Sequence, residues 1–208
     1  MATRRYEQGL RADHAAQTRR RILDAVATHL REAPTQPVSL DQVARLAQVS
    51  RSTVYVVFGS RAGLFDAFTA DLWERTGIAD LTRAVASPDA RDHLRRGLAA
   101  ASRMYAADRD IYRVLYTMAR LDPDSVGGAV TKMENERRGG MAHLVNRLSE
   151  EGVLRDDVTI ETANDLLWML CSFDALDRLI IDRAMPVDAA ADLLATTAER
   201  ALCRESSR

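Results

Sequence analysis

The chain has 208 residues, enough to bury a real core in one or two domains. Apolar residues make up 47% and charged residues 28%, which excludes a disordered or fibrous chain, and a net charge of -1 excludes a uniformly basic or acidic one. The near-neutral total hides an asymmetry: residues 1–61 hold ten arginines against five acids, while the remainder holds 19 basic and 25 acidic residues. A basic head before an acidic body suits a module that meets a polyanion.

In chain order, Met1 to Leu10 reads as a flexible arm carrying Arg4 and Arg5. From about Asp13 a helix begins, with Ile22, Ala25, Val26, Leu30 and Ala33 as its apolar stripe, and Pro34 and Pro37 stop it. Ser39 and Gln42 form a capping box for a second, short helix whose Leu40, Val43, Ala44 and Ala47 share one face. After the link Gln48-Val49-Ser50, Ser50 caps a third helix that Gly59 closes. Two short helices across a tight turn make a helix-turn-helix.

The third helix has an outer face suited to a DNA groove. Arg51 offers a planar fork for a guanine edge, and Ser52 and Thr53 can donate to base or phosphate. Tyr55 can reach a phosphate with its hydroxyl and a thymine methyl with its ring. Val56, apolar on a polar face, also fits a thymine methyl. The alternative is an ordinary helical hairpin with a solvated face.

Ser39 to Phe68 resembles the DNA-binding signature of the TetR family of bacterial transcriptional regulators. The matching residues are Ala47, Val49 and Ser50 in the turn, Thr53-Val54-Tyr55, Phe58, and Ser60-Arg61 with Leu64-Phe65 opening the next helix. The resemblance implies that Arg51, Ser52 and Tyr55 face bases while Ser39, Thr53 and Arg61 hold phosphates; Ser50 and Val56 complete the candidate DNA contacts. Gln48 stands where a turn glycine is usual, which requires a strained turn or a left-handed glutamine. Val56 and Val57 replace the histidine or aromatic residues common before the phenylalanine.

Beyond the head, a fourth helix is expected from Ser60 to about Ala86, with a bend at Gly77. A fifth covers Ala90 to Ala107 and a sixth Asp108 to Leu121. A seventh covers Val130 to Glu150, kinked at Gly139-Gly140. An eighth runs from about Ile160 to Ala184, and a ninth from Pro186 to near Cys203. The fold class is therefore all-α, about nine helices, divided into a helix-turn-helix domain over 1–59 and a ligand-binding and dimerisation domain over 60–208. The eighth helix is apolar around much of its circumference and the ninth is narrow and alanine-rich. Paired across a two-fold axis, the helices near 160–184 and 187–203 would make a four-helix homodimer contact.

Nothing in the sequence points to catalysis: there is no nucleophile elbow, phosphate-binding glycine loop or HExxH. His14, His29, His93 and His143 are scattered singly, so no metal site or cofactor is expected. Cys171 and Cys203 lack metal or redox spacing. The longest apolar run, Leu166 to Cys171, is too short for a bilayer, and the N-terminus has no apolar leader, so a soluble cytoplasmic protein is expected.

The large flexible and aromatic residues of the body are candidates to line a hydrophobic cavity: Trp73, Met104, Tyr105, Tyr112, Tyr116 and Met118 from its first half, then Met141, Trp168, Met169 and Phe173, with Asp174 as the one acid among them. An ordinary helical core is the competing account of each. As a group they fit what the TetR resemblance implies, a body cavity whose occupancy changes DNA binding. The expected function is a ligand-responsive repressor that binds a palindromic double-stranded DNA operator as a homodimer and is released by a hydrophobic small molecule. The alternative is a structural DNA-binding protein with a filled body and no inducer.

Overall fold

The computed structural model describes residues 2–205, with side chains from residue 12 onward. Eleven α-helices follow one another: α1 (Ala2–Glu32), α2 (Leu40–Leu46), α3 (Arg51–Phe58), α4 (Arg61–Thr76), α5 (Ile78–Val85), α6 (Ala90–Ala107), α7 (Arg109–Leu121), α8 (Gly128–Glu150), α9 (Ile160–Leu170), α10 (Phe173–Asp182) and α11 (Val187–Leu202), with a π-helical turn, Pro123–Gly127, before α8. The class is all-α as expected, and the two additional helices arise from two breaks.

The first break is at Gly77, whose φ of 129° lies where side-chain-bearing residues rarely go, so the expected bend is a full stop between α4 and α5. The second is at Cys171-Ser172: Ser172 is extended (φ -82°, ψ 152°) and its hydroxyl accepts from the Ala175 amide, capping α10 anew. Apolar periodicity runs straight across both breaks. Conversely, α8 continues unbroken through Gly139-Gly140, where a kink was expected. The expected flexible arm is also different, since α1 begins at Ala2; the side chains of Arg4 and Arg5 lie outside the described residues.

The chain forms two compact units, one of Met1–Asp71 with Arg113–Val130, the other of Leu72–Tyr112 with Thr131–Arg208. The expected boundary at 59/60 lies inside the first unit, and the division falls within α4. In the first unit α1 packs on α2 and α2 on α3. Its core holds Ile22, Val26, Leu30, Val43, Val54, Leu64, Phe65 and Phe68, each at most 1% exposed. In the second unit α6 is the hub, packed against α5, α10 and α11. The alanine-rich side of α11, with Ala190, Ala191, Ala195 and Ala198 buried, serves this packing within the chain. Small side chains let two helix axes approach closely, and here the approach is to α6. The apolar residues left outward on the last three helices are Ile160, Met169, Ile181 and Leu193.

Candidate functional site

The head's geometry follows from local chemistry. The Ser39 hydroxyl accepts from the Gln42 amide at 3.2 Å and Gln42 Oε1 accepts from the Ser39 amide at 3.2 Å, a complete capping box for α2. At its other end the Gln48 amide donates to Arg45 O (3.1 Å) and the Val49 amide to Ala44 O (2.9 Å), the paired bonds of a Schellman closure. That closure needs a left-handed residue, and Gln48 supplies it with φ 54°. Arg21 of α1 supports the turn: its Nε and Nη2 donate to Ala47 O at 3.2 and 2.5 Å, and Nη2 to Gln48 O at 3.0 Å. A glutamine without glycine's freedom is thus held by a guanidinium bound to two turn carbonyls.

Ser50 then caps α3, its hydroxyl accepting from the Thr53 amide at 3.0 Å. Val54 is buried beneath the helix, while Arg51, Ser52, Tyr55 and Val56 face outward, Tyr55 62% and Val56 82% exposed. Thr53 is half-buried. Arg51 meets Asp41 at 3.3 Å, with both side chains more than half exposed. Such a pair is worth little and does not hold the guanidinium back from a base edge. Ser39 and Ser50 are engaged as caps; the Ser39 hydroxyl also donates to Gln42 Oε1 at 3.0 Å, and the Ser50 hydroxyl lies 2.7 Å from Ser52 Oγ and 2.8 Å from Thr53 Oγ1.

The exit from α3 is equally constrained. Gly59 closes it with φ 72°, its amide bonding Tyr55 O at 2.7 Å, and Ser60 Oγ accepts from the Gly63 amide at 2.9 Å to start α4. A Cβ on Gly63 would stand 2.2 Å from Phe58 O, so α4 and the end of α3 are in backbone contact there. Arg61, the expected phosphate contact, is half-buried: one Nη pairs with Asp122 and donates to Ser125 Oγ at 3.2 Å. Its Nε and other Nη are buried with no hydrogen-bond partner among the described residues.

The second unit holds a cavity of about 370 Å³ that is partly open to solvent. Four expected residues line it: Trp73, Met104, Tyr105 and Met141. The others lie elsewhere. Tyr112 and Phe173 form a three-ring cluster with Tyr105, at centroid distances of 5.0 Å (Tyr105–Tyr112), 5.7 Å (Tyr105–Phe173) and 6.0 Å (Tyr112–Phe173). Burial pushes the Tyr112 hydroxyl well above the ordinary phenol value, opposed by its 3.1 Å bond with Thr76. Met169 is 57% exposed and Asp174 exposed, neither on the cavity wall. Tyr116 and Met118 belong to the first unit. The Trp168 ring carries the Arg137 guanidinium 3.7 Å from its centroid and that of Arg138 at 4.8 Å.

Sequence reasoning missed much of the wall, including His93, Gly97, Ala101, Arg137, Gly140 and Leu144. The readable signal was smallness: Gly97, Ala101 and Gly140 lack the side chains that would fill the space. His93 and His143 have ring centroids 5.9 Å apart, yet among the described residues no group of three or more His, Cys, Asp or Glu side chains could hold a metal. Burial first, then the charges of Arg147 and His143, lower the His93 pKa below its ordinary 6.5, so the ring is neutral at pH 7. Among the described residues no helix is long and apolar enough to cross a membrane.

An all-helical chain whose capped helix-turn-helix precedes a hollow helical body has the architecture of a transcriptional regulator. Residues 22–68 match the family model described as bacterial regulatory proteins, tetR family. No curated protein sequence matches the chain. Among solved structures, a TetR-like regulator from Rhodococcus sp. RHA1 is 25% identical over 88% of this chain and 94% of its own (TM-score 0.65). NalD, the secondary repressor of the MexAB-OprM multidrug efflux pump in Pseudomonas aeruginosa, is 21% identical over 93% and 100% (TM-score 0.70). A TetR-family regulator from Syntrophomonas wolfei is 11% identical over 89% and 95% (TM-score 0.74), a likeness of fold. The match over residues 22–68 and the whole-chain likeness of fold are both to TetR-family regulators.

Proposed function

We propose that the protein is a ligand-responsive transcriptional repressor that binds a palindromic operator as a homodimer and leaves it when a hydrophobic small molecule occupies the body cavity. The observation that carries the reading is the capped α3 with Arg51, Ser52, Tyr55 and Val56 outward. Arg51, Ser52 and Tyr55 read bases, Val56 meets a thymine methyl, and Ser39, Ser50, Thr53 and Arg61 hold the backbone. Arg61 exchanges Asp122 for a phosphate when it does so. Occupancy of the cavity lowers operator affinity by the ligand's differential affinity for the two states, about 5- to 150-fold for a coupling of about 1–3 kcal/mol. The structural DNA-binding alternative requires a filled body, and a cavity of about 370 Å³ weighs against it.

Operator selection from random double-stranded DNA tests the reading. Half-sites about 34–36 Å apart are expected from two heads on one face of the duplex. Arg51→Ala should cost about 1–3 kcal/mol and relax one base pair per half-site, whereas Arg61→Ala should weaken all sequences alike and flatten the salt slope. Equal proportional losses on operator and random DNA for both variants would refute base readout by Arg51.

A further inference from the structure

The stretch from Ser39 to Ser60 contains a single acidic residue, Asp41. A carboxylate beside a DNA-facing surface costs affinity for a polyanion, so its place there calls for a reason. Asp41 stands in the first turn of α2, a helix pinned by the Ser39–Gln42 capping box. Its Oδ2 accepts from Arg51 Nη1 at 3.3 Å, with the Arg51 and Asp41 side chains 68% and 58% exposed. Arg51 is the first residue of α3, which Ser50 caps. The pair therefore joins the first turns of the two helices of the helix-turn-helix.

A guanidinium carries five N–H donors in a planar fork, and a guanine edge takes two of them, at O6 and N7. The bond to Asp41 uses Nη1 and is the only one that the Arg51 guanidinium makes among the described residues. The Nε–Nη2 edge, with two parallel donors, stays open. A lone arginine on a groove surface samples many rotamers and can serve any nearby phosphate. A carboxylate on one side of the fork narrows that choice and presents the other side. It also repels phosphates, which penalises non-specific contact whatever the sequence.

We infer that Asp41 is a positioning residue that gives up overall DNA affinity to sharpen the base preference of Arg51, aiming its Nε–Nη2 edge at a guanine. The inference rests on the base-reading role of Arg51 in the proposed function and adds the residue that orients it.

Competition binding by the full chain tests it, with the selected operator, operators changed one base pair at a time, and random duplex. Asp41→Ala should bind random duplex about two- to fivefold tighter at low salt, a gain that shrinks as added salt screens the charges. The same variant should lose about two- to fivefold of its discrimination at the one base pair per half-site that Arg51→Ala relaxes, and at no other. Asp41→Asn keeps an acceptor for Nη1 without the charge, so it should show the gain on random duplex and retain part of the discrimination. Adding Asp41→Ala to Arg51→Ala should relax no further position. A merely structural role in α2 would not give this pattern, because a damaged head binds every duplex more weakly. Weaker binding of Asp41→Ala to random duplex, or unchanged discrimination at the Arg51 position, overturns the inference and leaves base readout by Arg51 standing. Wild-type protein that selects no operator, or Arg51→Ala with every base preference intact, removes that readout and the inference with it.

Discussion

Gln48 shows how one residue can depart from a family's pattern without losing its geometry. An L-residue in the left-handed region costs roughly 1–2 kcal/mol, and the Arg21 bonds to Ala47 O and Gln48 O hold the turn in spite of it. Gln48→Gly should therefore raise unfolding stability by about 1 kcal/mol, measured by urea denaturation, less whatever the unfolded chain gains in freedom. A loss of stability would mean that the glutamine side chain contributes more than its backbone costs. His93 gives the pH dependence at this scale. Its folded pKa lies below its unfolded one, so the unfolded state binds more protons and stability rises with pH. The contribution is intact above pH 6.5 and is lost as pH falls toward the depressed folded pKa. His93→Gln should flatten the stability curve below pH 6.5; an unchanged slope would assign it to other groups.

At the scale of elements, the capped helices were legible because their signals are local. Ser39 with Gln42, Ser50 with Thr53, and Gly59 each act within four residues, and the structure has all three. What could not be read depends on partners far along the chain. Asp122 stands 61 residues from Arg61, and Gly77 and Ser172 interrupt stretches whose apolar period never changes. The cavity wall was half-legible for a physical reason: the large residues were sought, but a void is made by what is small, here Gly97, Ala101 and Gly140. The α3–α4 junction offers a sharp test. A methyl on Gly63 meets Phe58 O at 2.2 Å, backbone against a fixed helix end, so relief requires moving α3. Gly63→Ala should destabilise the head by about 1–3 kcal/mol and cut operator affinity more than cavity binding, as read by thermal melts and paired titrations. Equal losses in both would place its effect on the whole fold.

For the whole molecule, assembly follows from which apolar side chains remain outward. Ala191 and Leu194 are buried in the packing around α6, so charge placed there would test folding rather than association. Ile181 and Leu193, 52% and 45% exposed on α10 and α11, are the better probes of the proposed homodimer. Ile181→Asp with Leu193→Asp should yield a folded monomer by sedimentation and circular dichroism, because neither carboxylate is buried until a partner arrives. A wild-type monomer at micromolar concentration would exclude the interface. Trp168, clasped by Arg137 and Arg138, has a consequence of another kind. An indole excited state is sensitive to nearby charge, and Arg137 stands both over that ring and on the cavity wall. That gives the proposed effector an optical test without any dye attached: with Trp73 replaced by phenylalanine, the colour of Trp168 emission should shift when a ligand that displaces Arg137 is added, and an unchanged spectrum on binding would mean that the guanidinium stays over the ring.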